Sequence, residues 1–302
     1  MNMIRVYERF PDEVIEVKNK EINIFDINGR NIDKRVVEDF GEEWLRFNEF
    51  SDKDIIRTGE EYFDIIDETI VNKQTYAIDI GCGTGRWSKY LSVKAGFIEA
   101  VDPSNAIFAA AKVLNNIENV RLTKASIETL PFEDETFDFA MSVGVLHHIP
   151  DTKKALKDCV KKVKKGGHFY LYLYYNLDNR GWFFTRLFQL SDVLRSRICK
   201  LPVPLKKFVC DVLAVFIYMP LVLVVKLLLF AGFTKLAKRM PLSTYHNKSF
   251  FIIRNDSLDR FGTRLEHRFS AKQVKEMMEN AGLTNIVISS APPYYHAVGK
   301  KI

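Results

Sequence analysis

Three glycines stand at alternate positions, Gly81, Gly83 and Gly85, directly after the run Tyr76-Ala77-Ile78-Asp79-Ile80. The run reads as a strand, the glycines as a tight loop and the residues from Arg86 as a helix start. Backbone N–H groups at such a turn hold a nucleotide-like ligand at the helix N-terminus. Dinucleotide sites use the spacing G-x-G-x-x-G; here it is G-x-G-x-G, with Asp79 just before it. A bare amide cradle suits an anionic pyrophosphate, whereas a carboxylate at this point favours a ligand bearing a cation or hydroxyls. A hydride-transferring dehydrogenase is therefore disfavoured. Cys82, inside the loop, occupies a place that needs a small side chain.

A second acid, Asp102, ends the run Phe97-Ile98-Glu99-Ala100-Val101. It stands about 20 residues beyond the glycines, where a doubly wound fold places a carboxylate on ribose hydroxyls. Pro103 and Ser104 follow and open a helix through Ala109–Lys112. Further on, His147 and His148 are adjacent. Neighbouring helical side chains diverge by about 100°, so the pair does not read as one metal centre. One is expected to bond the backbone of the glycine loop and the other, His147, to move protons. A third histidine, His267, lies in the polar stretch Leu265–Ser270 and is the preferred base or acceptor-orienting group, ahead of Tyr245, His246, Asp259 and Arg264. The four cysteines show no C-x-x-C spacing, so neither a zinc framework nor a disulfide scaffold is expected. No metal is assigned.

The elements that must hold these residues alternate. Further strands read at Val120–Thr123, Phe137–Ser142 and His168–Tyr174, with a helix from Ala155 to Lys165 stopped by Gly166-Gly167. Strands alternating with helices at these lengths imply an α/β fold with a parallel sheet. The chain has 302 residues, 47% of them hydrophobic, enough for one large domain or one domain with an appendage. Upstream, Val14–Val17 and Ile22–Phe25 alternate as a small hairpin would, with Asn28-Gly29 as a turn signal. Residues 36–71 read as helices. Trp44, Phe47 and Phe50 share a face suited to packing on the sheet or to covering a ligand.

These runs together resemble the class I S-adenosylmethionine (SAM) dependent methyltransferases of small-molecule and lipid type. The glycine stretch resembles their motif I. Ser126-Ile127-Glu128-Thr129-Leu130-Pro131-Phe132 resembles their "DAE-x-LPF" segment, with Ser126 replacing the acid. Val145–Asp151 resembles "vLhHi-x-D", and Lys164-Lys165-Gly166-Gly167 resembles "L-K-P-G-G" without its proline. The resemblance is strong over residues 70–175 and moderate over 265–299. It implies a Rossmann-like doubly wound sheet of seven strands, the last antiparallel, finishing with Asn285–Ser289 and Tyr295–Gly299. It implies SAM as cofactor, held by Asp79, Gly81, Cys82, Gly83, Gly85, Asp102, Pro103, Ser126, Ile127, Ser142 and Val143. Ser126 and the N–H of Ile127 are its adenine contacts. SAM carries an ammonium, a sulfonium and a ribose, and no phosphate, in keeping with Asp79.

Residues 176–258 go beyond that pattern. From Arg180 to Met240 there are 11 Lys or Arg against Asp192 and Asp211, so the chain's net charge of +6 comes from this segment. Trp182, Phe183, Phe184, Leu187, Phe188 and Leu190 form an aromatic-rich amphipathic helix. Phe208–Phe233 is apolar apart from Asp211 and Lys226, with Pro220 expected to kink it. Its longest uncharged run, Val212–Val225, falls short of the ~20 residues of a span, and basic residues flank both sides. The pattern fits a segment lying on an anionic membrane surface or roofing an acceptor site. Nucleic acid fits less well, since the segment is rich in Leu, Val and Phe. Asp256–Gly262 reads as a turn, and Ser270 caps a helix that Gly282 ends.

The chain is thus expected to comprise an N-terminal extension and helical cap (1–70), a SAM-binding core (71–175), a basic apolar insertion (176–258) and a completion of the sheet (259–302). The expected function is methyl transfer to a hydroxyl or amine of a small or amphiphilic metabolite: a glycan precursor, a quinone-like lipid or a secondary metabolite. An RNA methyltransferase and a non-catalytic SAM-binding module are the alternatives. With no leader in the first residues, the expected setting is the cytoplasm, at the inner face of the membrane if peripheral.

Overall fold

The computed structural model describes residues 6–46, 50–176 and 181–302. The chain divides into two compact units, Met1–Asn176 with Leu265–Ile302, and Leu177–Arg264.

The first unit is built on one sheet. A hairpin of β1 (Glu13–Val17) and β2 (Lys20–Ile24) leads to helices α1 (Lys34–Arg46) and α2 (Asp52–Tyr62). Then β3 (Tyr76–Ile80), α3 (Arg86–Ser92), β4 (Phe97–Val101), α4 (Ala106–Val113), β5 (Val120–Lys124), β6 (Phe137–Val143), α5 (Thr152–Lys161) and β7 (Val163–Tyr172) alternate as expected. The strand order is β1-β2-β5-β4-β3-β6-β7-β9-β8, where β8 is Leu283–Ile288 and β9 is Ala297–Lys301. The fold is therefore the α/β, Rossmann-like architecture, but with nine strands rather than seven. The N-terminal hairpin supplies the other two, because β2 pairs in parallel with β5. The hairpin reverses at Lys18, with φ +56, and not at Asn28-Gly29. Strand β9 runs antiparallel to both neighbours, and β1 is antiparallel to β2.

All five residues of β3 and of β4 are buried, as strands covered by helices on both faces must be. One face packs α5 and the later helix α11 (Ala271–Asn280) through Leu156, Val160, Val274 and Met278. The other packs α3 and α4 through Trp87, Leu91, Ile107 and Leu114. Glu99 of β4 is wholly buried, and is paired with Arg121 at 2.7 Å and with the Tyr76 hydroxyl at 2.6 Å. Burial alone pushes its carboxyl up; Arg121 and Tyr76 oppose that shift.

Other boundaries move for physical reasons. Helix α5 ends at Lys161, and Gly166-Gly167 lie inside β7 beside a register shift. A Cβ at Gly167 would meet the Asp138 carbonyl at 2.7 Å, so this close strand approach demands glycine. Asp102–Ser104 form a turn, and α4 starts only at Ala106. Phe50 lies beyond the end of α1, and Phe47 and Phe183 lie outside the residues described side chain by side chain.

The second unit is helical over its described residues: α6 (Trp182–Ile198), α7 (Val203–Leu213), α8 (Met219–Phe230), α9 (Thr234–Arg239) and α10 (Phe250–Gly262). Asp256–Gly262 is the last stretch of α10, not a turn. Nor does Pro220 break the chain: a π-helical segment, Ala214–Tyr218, joins α7 to α8, so that Val203–Phe230 runs as one helix. Wider turns just before a proline make room for its ring without ending the helix. Helix α10 packs on α6 and α7. Arg254 grips Asp211 with two 2.7 Å bonds, Ser257 Oγ donates to the Cys210 carbonyl at 2.8 Å, and Arg260 lies 4.2 Å from the Phe188 ring centre.

Candidate functional site

Strands β3 to β7 are parallel, so their C-terminal ends share one edge of the sheet. The glycine loop, Asp102, Ser126, Val143 and Tyr174 all follow these ends, and the topology brings them together. Ligands of open α/β sheets bind along this edge.

The loop is shaped by its glycines. Gly81, Gly83 and Gly85 have φ of +81°, +54° and +77°, which L side chains adopt with strain. A Cβ on Gly81 would stand 2.6 Å from Val145 Cγ2, and one on Gly85 2.6 Å from Leu114 Cδ1. The N–H groups of Gly81 and Cys82 both donate to the Val101 carbonyl, which ties the loop to β4. Cys82 is buried and burial raises its thiol well above the ordinary range, so it stays a thiol and not a nucleophile.

Asp79 is fully buried. Its Oδ2 accepts from the Ser88 hydroxyl at 2.7 Å, while Oδ1 has no hydrogen-bond partner. Burial pushes its carboxyl up to about 7, with Asp102 adding to the rise and Ser88 opposing it. Asp102 is held harder: Oδ1 accepts from the Ser104 amide (2.8 Å) and hydroxyl (2.6 Å), and Oδ2 from the Gly83 amide (2.9 Å). One acceptor position on Oδ2 stays open on this count. Pro103 sits between Asp102 and Ser104, half-buried. Burial raises the Asp102 carboxyl too, against those hydrogen bonds.

Ser126 caps a short 3-10 turn, Ile127–Thr129, sharing a 3.0 Å bond between its Oγ and that of Thr129. Ile127 opens that turn, and its N–H is among the donors that a helix start leaves without an internal partner. Ser142 is wholly buried and donates to the Ile80 carbonyl at 2.9 Å, so its hydroxyl clips β6 to β3. Val143 ends β6, and Gly144 then turns with φ +79°.

The histidines converge more than their spacing suggested. They sit in a 3-10 turn, Leu146–His148, and their ring centres are 4.0 Å apart. His147 is fully buried, 3.9 Å from the Tyr174 ring, and neither of its nitrogens has a partner. Burial, with nearby His148, holds it well below 6.5 and therefore neutral at pH 7. His148 Nδ1 meets the Leu265 carbonyl at 2.7 Å, a backbone bond to the segment before α11 rather than to the glycine loop. The segment of His267 is tied to the same turn: its backbone N–H donates to the His147 carbonyl at 2.9 Å, and the buried Nε2 of its ring has no partner. Arg268 lies beside it, bonded to Glu266 (2.7 Å) and to the Tyr175 carbonyl, over the Tyr174 ring. Of the weaker candidates, Tyr245, His246, Asp259 and Arg264 belong to the other compact unit.

Helix α1 covers this edge. Phe40 is 4.7 Å from the His148 ring, Gly41 approaches the Asn105 amide, and Trp44 lies over Gly83, with the Arg86 guanidinium 5.2 Å from its ring. Trp44 was read from the sequence as packing on the sheet or covering a ligand, whereas Ser88, Ser104 and Tyr174 organise the site without having been assigned to it from the sequence. Ser104 was legible as the third residue of an Asp-x-Ser turn. The others meet it only through packing. Among the described residues no cluster of three or more His, Cys, Asp or Glu is placed to hold a metal ion.

Residues 78–171 match the family model of a methyltransferase domain. Among curated proteins, a ubiquinone biosynthesis O-methyltransferase of Coxiella burnetii is 29% identical over 109 residues, covering 35% of this chain and 46% of that protein. A demethylmenaquinone methyltransferase of Staphylococcus aureus is 36% identical over 101 residues, covering 32% and 42%. The chain thus spans under half the length of these relatives. Among solved structures, a SAM-dependent methyltransferase of Aquifex aeolicus is similar at 13% identity and TM-score 0.44, covering 83% of this chain and 98% of that one. The YcgJ protein of Bacillus is similar at 26% identity and TM-score 0.37, covering 43% and 56%.

Residues 78–171 thus match a methyltransferase domain, and S-adenosylmethionine is the cofactor that this match supports. The residues present fit that group. Asp79 offers a buried carboxylate oxygen without a partner, suited to an ammonium. Gly81 and Gly85 keep the loop free of Cβ atoms, and Asp102 retains an acceptor for a hydroxyl.

Proposed function

We propose that this protein is a SAM-dependent methyltransferase whose acceptor is a hydroxyl or amine of a small or amphiphilic molecule. The observation that carries the acceptor side is His147: wholly buried, neutral, and with two unpartnered ring nitrogens beside Tyr174 and His267. A buried polar group left unbonded is costly, and such groups concentrate where a ligand completes them. SAM, when bound, supplies a methyl group already activated on a sulfonium. The chain's own task is then to position the acceptor, exclude water and hold a proton. Positioning accounts for much of the acceleration in such a transfer. Asp79 and the glycine loop hold the amino-acid end of the cofactor, Asp102 its ribose, and Ser126 with the Ile127 N–H its adenine. Val143 walls the same edge. His147 accepts a hydrogen bond from the acceptor hydroxyl, and His267 orients it.

The names of the curated relatives, both concerned with quinones, support a lipid-like acceptor, as does the apolar second unit. Incubating the protein and methyl-labelled SAM with native extract tests this. The expected result is label in an extractable small or lipid-like product. Label in RNA points instead to a nucleic-acid methyltransferase. SAM binding with no labelled product in any fraction leaves a non-catalytic binding module.

A further inference from the structure

The second unit carries an open apolar surface. Val203–Phe230 is a helix of 28 residues, apolar along most of its length and mostly left uncovered. One stripe of it is taken. Cys210, Ala214, Tyr218, Val222 and Val225 recur at each helical turn and are buried. α10 packs there through the Ser257–Cys210 and Arg254–Asp211 bonds. The opposite face is apolar and open: Phe208, Phe216, Leu223, Leu227 and Phe230 are each more than half exposed, Phe230 at 93%. From Arg197 to Arg239 there are eight Lys or Arg and one acid, Asp211, which Arg254 already neutralises. Lys200, Lys226, Lys235, Lys238 and Arg239 are exposed.

At ~1.5 Å per residue the helix is roughly 40 Å long, enough to cross a bilayer. Crossing is nevertheless opposed by its partner. Arg254, Asp256, Asp259 and Arg260 of α10 would accompany it into hydrocarbon, where ionisable side chains are expensive. A helix with one face packed on protein, the other apolar, and cations at both ends suits the interface plane. We propose that Val203–Phe230 lies in the plane of an anionic lipid surface, with Phe208, Phe216 and Phe230 among the acyl chains and the flanking lysines on the headgroups. Lys226, on the helix itself, reaches the headgroups by extending its stem. This rests on the second unit alone, so its failure and a failure of methyl transfer are read separately.

The test is sedimentation of the full chain with vesicles, either pure phosphatidylcholine or phosphatidylcholine with one third phosphatidylglycerol. Binding is expected to the anionic vesicles, weakening steeply with salt, and little to the neutral ones. Phe216→Glu with Phe230→Glu should cut the partition by at least tenfold, since each buried phenylalanine is worth about that factor. Lys235→Glu with Lys238→Glu should cost about fivefold per removed cation. Both pairs lie on the exposed surface, so circular dichroism and SAM binding should be unchanged; a variant failing those controls is replaced by Phe208→Ser, read the same way. Alkaline carbonate should release the bound protein. Retention in carbonate overturns the in-plane placement in favour of a span. Absence of vesicle binding overturns the proposal, and a dimer that dissociates in the Phe216/Phe230 variant then assigns the face to a second copy.

Discussion

The buried Asp79 sets a pH dependence of SAM binding that can be worked from the structure. Its carboxyl titrates at about 7 in the free protein, against an ordinary value of 3.8, because burial penalises the anion more than Ser88 stabilises it. An ammonium ligand needs the anion. Below pH 7 binding therefore expels one proton, and affinity rises with pH by up to tenfold per unit until it levels near 7. Between pH 5.5 and 7.3 the gain is roughly 20- to 30-fold. The upper limit stays below the ~7.7–8.0 range in which an α-amino group loses its proton. Stability runs the other way. From pH 4 to 7 the unfolded chain has released the Asp79 proton and the folded chain has kept it, so stability falls as pH rises, by roughly 4 kcal/mol in all. Asp79→Asn should flatten the binding profile and weaken binding at pH 7.3. It should also raise stability at that pH by roughly 1–3 kcal/mol, part of the relief being spent on an unbonded amide N–H. Titration calorimetry in two buffers of different ionisation heat counts the proton, and thermal unfolding reads the stability. An affinity that is constant from pH 5.5 to 7.3, with no proton released, would refute the reasoning.

Other outcomes follow from single contacts. Gly81→Ala forces a Cβ to within 2.6 Å of Val145 Cγ2 at a φ of +81°, and should cost at least ~2 kcal/mol in thermal or urea unfolding together with SAM binding. His147→Gln should lower kcat about 100-fold or more once an acceptor is in hand, with the SAM Kd unchanged by calorimetry. A merely structural His147 would instead lower stability and leave turnover per folded molecule intact. Trp44→Ala opens the cover over Gly83, and should weaken SAM binding several-fold while circular dichroism stays the same.

The cofactor half of the site was readable because it is local. Residues 76–85 combine an extended apolar run, three glycines and one acid, and each conformation is demanded by its own residue: φ above zero for the glycines, burial for the β-strand. Asp102 follows at a distance set by one strand–helix–strand repeat, and Asp102-x-Ser104 closes its turn within three residues. The alternation of β3 to β7 with helices fixed the layers, since a strand buried on both faces has no other way to be covered. Even the N-terminal hairpin was visible as two alternating runs. Its place at the edge of the sheet was not, because the hydrogen bonds that dock β2 join residues about 100 positions apart.

The acceptor half was decided in three dimensions. Spacing argued that His147 and His148 diverge. The tighter 3-10 turn and the packing of Tyr174 bring their rings to 4.0 Å, and the backbone of His267 bonds that of His147 from more than 100 residues away. The same holds for the long apolar segment, where Val203–Phe230 continues through Pro220 as one helix and α10 chooses which stripe is buried. Sequence by itself determined the strand–loop–helix that holds the cofactor, because backbone dihedrals and burial are properties of neighbouring residues. Tertiary structure decided which histidines meet and which apolar face stays open, because those depend on contacts between segments far apart in the chain.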